Sequence, residues 1–405
     1  MWSTALTSGY YPAPSMTLPF LSAPRWTRLA AVAFVAVLAP LCFLGPGTDL
    51  DTGAVLHAGD RIVHGAYEAS RAPGAPVHEA VTGVLDWALG GWAVNLASLA
   101  GALVLCGALW LLLDREGVAR PWLAVAFVAA SPWFQIASTS TVDFVGAAAL
   151  LVCGALAVRR NHPVVAGVLC GLSVGMRMSG VLIVVAIVAA EATGRDAHRD
   201  RALRVLVVGG IVGMLSFLAP FLAAHGSMAF AQNDFSTTTP LSHLGRAFAK
   251  NVAYVGPVGF VLVLFAVPAL WRLRLVWSDR WTVRFASIGF VLSEALFLRF
   301  PWKLGHLVPA AICLSILLAE ALRDRRVLLG AIVVAQLALG AVNVEFLRPD
   351  VPNLAQRAEP TLRVGFGPLV IDTRCRLDDK DAARSGDIGR LETVWNCARP
   401  WGNGR

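Results

Sequence analysis

Apolar residues run along this chain in long, nearly unbroken blocks rather than at the alternating spacing of a half-buried strand. The blocks fall at roughly 28–45, 92–113, 121–137, 142–158, 163–175, 178–190, 203–224, 252–271, 283–298, 304–322 and 327–344. A helix needs about 20 apolar residues to cross the hydrocarbon core of a bilayer. The pattern therefore predicts an all-α polytopic membrane protein with about eleven transmembrane segments. No segment repeats, and the two halves differ in loop size.

The polar connections sort by charge. Arg115 and Arg120, Arg159 and Arg160, Arg195 to Arg204, Arg272 to Arg284, and Arg323 to Arg326 mark alternate connections. Basic residues concentrate in cytoplasmic loops, so these are expected inside. The segments 46–91, 138–141, 225–251 and 299–303 are expected outside. One block needs a break to keep the alternation: a single helix over 163–190 would place the Arg195 cluster on the wrong face. Splitting it at Gly175, Met176, Arg177, Met178, Ser179 and Gly180 restores the order. Broken backbone at membrane depth is tolerated only where protein or a cavity surrounds it, so Arg177 marks a candidate site. The N-terminus is then cytoplasmic, while the long first loop and the tail are extracytoplasmic. Residues 1–345 form the transmembrane domain and 346–405 a short tail, in which 368–372 alternates with period two.

Composition sharpens this picture. Of 405 residues, 57% are hydrophobic and 15% charged, against about 25% charged in soluble domains. The formal charge of +8 is explained by the inside loops, and no nucleic-acid partner is implied. The first residues lack a basic start leading into an apolar core and a cleavage site, so 26–45 reads as an uncleaved first span. An Arg- and Ala-rich, Lys-poor composition fits a bacterial plasma membrane. Cys42, Cys106, Cys153, Cys170 and Cys313 lie in apolar blocks as small core residues. Cys375 and Cys397 lie in the tail, where an oxidising compartment would allow a disulfide.

Candidate chemistry clusters in the outer loops. Asp49 and Asp51 follow the first span; they can cap the next helix or act as a general base. Asp143 stands at the outer start of the fourth span, as a helix cap or as a second acid near Asp49. Arg71 and His78 flank the turn formed by Pro73, Gly74 and Pro76, and an arginine there can hold a phosphate. Glu79 can pair with Arg71 or cap the following helix. Arg299, Lys303 and His306 make a candidate phosphate clamp, with interfacial anchoring beside Trp302 as the alternative. Arg246 and Lys250 read similarly, and more weakly.

In this order the residues resemble the GT-C superfamily of integral-membrane glycosyltransferases, the group that includes protein O-mannosyltransferases and the lipid A aminoarabinose transferase. The likeness runs from about residue 28 to 322. It rests on the acids after the first span, the long first loop with Ser70, Arg71, Pro73, Gly74, Pro76, His78 and Glu79, and Asp143. It also rests on the run Ala166, Gly167, Leu169, Gly171, Leu172, Gly175, Arg177, and on His306 to Pro309 opening a helix. The resemblance implies a polyprenyl-phosphate-linked sugar donor, a lipid, glycan or protein acceptor, and inverting transfer on the outer face. Asp49 or Asp51 would be the base, with Asp49 favoured. Arg71 and the Arg299–His306 group would bind the lipid phosphate, with His78, Glu79 and Arg177 beside them. The acids are separated by one residue rather than adjacent, so the choice between them stays open. No nucleotide is needed, no cofactor is certain, and a divalent metal stays open as an accessory. A transporter or lipid flippase is the rival. It would call for charges at the bilayer midplane and paired broken helices in two halves.

Overall fold

The computed structural model describes residues 25–49, 51–224, 226, 240–345 and 363–378; the first 24 residues and Cys397 lie outside these. Sixteen helices run through the described residues. The first loop's chain enters through α1 (Arg25–Leu38) and a tight turn at Ala39–Phe43, then forms α2 (Asp51–Val63) and α3 (Pro76–Leu89). The bundle follows as α4 (Gly91–Arg115), α5 (Pro121–Ala130), α6 (Pro132–Ser138), α7 (Phe144–Arg159), α8 (Pro163–Met176) and α9 (Gly180–Ala192). It continues as α10 (Arg199–Ala223), α11 (Pro240–Val255), α12 (Pro257–Val276), α13 (Trp281–Arg299), α14 (Leu304–Ala321) and α15 (Arg326–Ala341).

Five of these, α4, α10, α12, α13 and α14, are long and apolar enough to cross a membrane. Six other apolar helices have 10–17 residues, short of the about 20 a span requires. The protein is an integral membrane protein; among the described residues length and composition support five spans, and the count of eleven is not confirmed. The block 121–137 is not one helix: Ser131 adopts an extended conformation before Pro132, and α5 gives way to α6. Proline removes a helix hydrogen bond and disfavours helical backbone in the residue before it, which explains the break.

The connecting segments also hold helices that block patterning did not reveal. α2, α3 and α11 are amphipathic, and α3 leaves Val81, Val84, Trp87 and Leu89 exposed. Such a face suits the membrane interface, where apolar surface is covered by lipid.

The expected break at Arg177 is present: α8 ends at Met176, Arg177 is extended, and α9 starts at Gly180. α8 packs against α10 through glycines one turn apart. A Cβ at Gly171 would lie 2.8 Å from the Gly209 carbonyl and 2.5 Å from Val212 Cβ, and one at Gly175 would lie 2.5 Å from Val77. Hydrogen in place of a side chain lets the backbones approach closely, as in small-residue membrane interfaces. This seats Arg177 below the start of α3.

The helix ends segregate. Arg159 pairs with Glu116 at 2.7 Å and Glu191 at 3.2 Å, Arg201 reaches Glu191 at 3.3 Å, and Arg284 pairs with Asp196 at 2.5 Å. The arginine-bearing turns are thus tied together at one end. The acids of the first loop, Asp143 and Arg177 gather at the other.

The tail departs from an all-α fold. Strands β1 (Val342–Glu345) and β2 (Arg363–Phe366) pair antiparallel, with Val342 opposite Phe366. The period-two patch is not a strand: it begins α16 (Pro368–Asp378), with proline in the first turn, where its missing N–H costs nothing. Its buried residues, Pro368, Asp372, Cys375 and Arg376, recur at helical spacing. Cys375 is disulfide-bonded, whereas Cys42, Cys106, Cys153, Cys170 and Cys313 are free.

Candidate active site

Two loops bring the acids together, and Asn95 on α4 holds them in place. Its amide donates to the carbonyls of Cys42 and Gly45, while its oxygen accepts from Thr141. The Thr141 N–H donates to Pro46, and Ser98 donates to the Ser140 carbonyl. Gly47 completes the join. Its φ of +120° is strained for any side chain, and a Cβ there would stand 2.6 Å from the Ser140 hydroxyl.

On this frame six predicted residues from five segments form one alternating network. The Lys303 ammonium bridges Asp49 at 2.6 Å and Asp51 at 2.8 Å. The Arg71 guanidinium bridges Asp51 and Asp143, both at 2.5 Å. The other oxygen of Asp143 accepts from Arg177 at 2.6 Å. Three carboxylates thus meet three cations. Asp143 is 1% exposed and serves as the buried centre, whereas Asp49 and Asp51 keep 16% and 24% of their side chains accessible.

The electrostatics divide the two acids of the first loop. Burial alone would raise the Asp51 carboxyl, but Arg71 and then Lys303 outweigh it and hold it down at about 2. Among the described residues Asp49 has Lys303 as its one ion-pair partner, and it also accepts the Asp51 backbone N–H at 2.9 Å, a helix-capping contact. Capping and membership of the site therefore coexist. Asp49 faces a cavity of about 40 Å³ lined by Thr48, Trp133, Phe144, Gly305, Pro368 and Asp372, among others.

The remaining predicted residues surround the network in different ways. His78, in the first turn of α3, is buried, and its Nε2 has no partner among the described residues. Burial lowers its imidazole; Asp143 opposes this and Arg71 adds to it, leaving it at about 4. Among the described residues Glu79 makes no ion pair with Arg71; it stands in the first turn of α3. Fully buried, it accepts from the Tyr67 hydroxyl at 2.9 Å and from the Ser70 N–H and hydroxyl at 2.9 and 2.5 Å. It thereby anchors the chain immediately before Arg71. His306 packs on the Phe144 ring at 5.6 Å, and the Arg177 guanidinium lies 4.0 Å from the same ring. Arg299 lies over the ring of Phe300, outside the carboxylate network. Of the three residues of the expected clamp, Lys303 alone joins that network. Beside it, Arg246 covers the Trp302 ring and Lys250 donates to the Trp302 carbonyl. Burial, then Arg246 and Lys303, push the Lys250 ammonium down to about 7. Among the described residues no group of three or more His, Cys, Asp or Glu side chains is arranged to hold a metal ion.

Sequence reasoning missed Thr48, Asp372 and Arg376, which meet beside Asp49. The spacing of Asp372 and Arg376, one helical turn apart, was the signal available.

Short helices lie over one end of an apolar helical bundle, beside the acid-bearing first loop, and this fold has a counterpart among solved structures. The structure is similar to the crystal structure of ArnT from Cupriavidus metallidurans bound to undecaprenyl phosphate. The TM-score is 0.51 at 17% identity, over 93% of this chain and 76% of that one. The same protein in its apo state aligns with a TM-score of 0.48 and 18% identity over the same shares. No family profile matches the sequence, and no curated protein matches it.

Proposed function

We propose that the protein is a glycosyltransferase that moves a sugar from a polyprenyl-phosphate donor to an acceptor hydroxyl on the extracytoplasmic face, with inversion. The observation that carries the reading is the Lys303 ammonium shared between Asp51 and Asp49, the latter lining a cavity. On this reading Lys303 is the phosphate-binding cation and Asp49 the base, and the 2.6 Å between them supports it. The likeness to a fold solved with undecaprenyl phosphate supports the donor class.

The donor phosphate binds at Lys303 and Arg71, drawing the ammonium away from Asp49. The acceptor oxygen attacks the anomeric carbon, the bond from that carbon to the phosphate oxygen breaks, and Asp49 takes the hydroxyl proton. The leaving phosphate keeps the electron pair of the broken bond. Fixed cations stabilise its growing charge at no reorganisation cost. Asp51, a weak base at about 2, and Asp143, buried between two guanidiniums, hold the cations in place rather than moving protons. Residues 1–345 carry the chemistry, and the tail 346–405 lies with the site outside the membrane. The acceptor is a lipid, glycan or protein hydroxyl.

The test is release of polyprenyl phosphate by purified protein in nanodiscs, given a panel of polyprenyl-phosphate sugars and a membrane extract as acceptor. Asp49→Asn should lower turnover at least 100-fold with the fold intact, in the range expected for general-base loss. Full activity of that variant rejects Asp49 as the base. No release from any donor by the unmodified protein rejects the transferase.

A further inference from the structure

We propose that the tail helix α16 is a positioning element for the catalytic carboxylate: Asp372 and Arg376 clamp the two acid-bearing loops into register. The proposal rests on the transferase reading above and assigns a role to a segment that reading leaves idle.

The contacts converge from one helix face. Asp372, buried at 2% exposure, accepts a hydrogen bond from the Thr48 hydroxyl at 2.5 Å, one residue before Asp49. Arg376, with none of its side chain exposed, pairs with the other Asp372 oxygen at 2.9 Å. It also donates to the Thr139 carbonyl at 3.0 Å, the Ser140 hydroxyl at 2.7 Å and the Leu41 carbonyl at 3.4 Å. One guanidinium thus reaches the chain that leads to Asp49 and the chain that leads to Asp143. A fully buried arginine is costly unless its donors are engaged; here the two terminal nitrogens hold both loops, while Nε has no hydrogen-bond partner among the described residues.

Two further observations set this apart from ordinary tail packing. Pro368 and Asp372 form part of the wall of the cavity that Asp49 faces, so the helix shapes the space where the acceptor hydroxyl must arrive. Cys375, between the two clamp residues, is disulfide-bonded, which ties the helix covalently to the chain. A general base works only when held within hydrogen-bond reach of the proton it takes, and a small displacement far from the chemistry can cost about 100-fold. Asp372 and Arg376 touch no reacting atom; they act through Thr48 and the loop backbone.

The test uses Thr48→Val, which has the same shape, lacks the hydroxyl and leaves the Asp372–Arg376 pair intact. Ser140→Ala, which removes one Arg376 partner, is the second variant, and Thr48→Ser is the rescue. Each full-length protein in nanodiscs is examined by hydrogen exchange and by transferase kinetics. Thr48→Val should speed exchange at least tenfold in the peptide carrying Asp49, and Ser140→Ala in the peptide carrying Asp143. In Thr48→Val, kcat should fall at least tenfold with donor KM unchanged. Thr48→Ser should restore both. Unchanged exchange in both variants overturns the clamp, whatever the activity. Faster exchange with an unchanged kcat makes the tail merely structural and overturns the positioning role. An unmodified protein that releases no polyprenyl phosphate overturns the transferase reading itself, and the positioning role with it.

Discussion

Asp143 should be the least replaceable charge in the network, and the cost can be worked from its contacts. Asp143→Asn keeps the shape and removes the negative charge from a side chain that is 1% exposed and lies 2.5 and 2.6 Å from two guanidiniums. Breaking a buried ion pair by neutralising one partner costs about 3–5 kcal/mol, because the other charge stays buried without compensation. Arg71 keeps Asp51 as a partner, so the uncompensated charge falls on Arg177. The Phe144 face, 4.0 Å from that guanidinium, recovers part of the loss, since a desolvated cation–π contact is worth up to about 2 kcal/mol. The expected cost is therefore near the lower end, about 3 kcal/mol. Arg177→Gln in the Asp143→Asn background removes the stranded charge, so the double variant should be more stable than the sum of the singles by about 2 kcal/mol. The assay is equilibrium denaturation in mixed micelles, followed by circular dichroism across all four proteins. Single-variant costs that add within about 0.5 kcal/mol, the range for independent sites, would refute the reasoning.

Two other predictions follow from the structure. His78 is held at about 4 by burial, below its ordinary value of about 6.5, so the unfolded chain takes up the proton first. Stability should be full above about pH 6.5 and fall towards pH 4, by up to about 3 kcal/mol. His78→Gln should flatten that limb in thermal unfolding scans; an identical limb in the variant rejects the assignment. Gly171→Val drives a side chain into Val212 and the Gly209 carbonyl. It should cost about 1–3 kcal/mol by overpacking and lower transferase turnover. Gly210→Ala, whose Cβ meets nothing within 4 Å, should leave both unchanged.

The long apolar blocks made the bundle legible because burial in lipid imposes a composition that needs no tertiary knowledge. The helices α2, α3 and α11 escaped notice because an amphipathic helix at an interface mixes polar and apolar residues over a short stretch. The block 121–137 was misread because its apolar run hides the break before Pro132. Within the site, Asp49, Asp51, Asp143, Arg71, Arg177 and Lys303 stood out as charges beside apolar segments. Their pairing did not, since Lys303 meets Asp49 across 254 residues of chain. The partners of Glu79 were not legible, because sequence distance cannot say which of Tyr67, Ser70 or Arg71 a buried carboxylate faces. Asp372 and Arg376 were hidden by an alternation at 368–372 that looked strand-like. The helical recurrence of buried residues becomes visible only with the loops they cover.

The glycines of α8 work as a depth gauge. Because Gly167 and Gly171 let α8 rest almost backbone to backbone on α10, the height at which Arg177 leaves the helix is set by main-chain thickness. On the α10 side only its backbone and the stiff, branched side chains of Val208 and Val212 meet these glycines. A bulkier residue two or three turns away would lift Arg177 off Asp143 without touching either. Sequence changes along this helix-buried stripe can therefore retune a site two or three turns distant, and an alanine at Gly171 carries as much information about the chemistry as a change to the arginine itself.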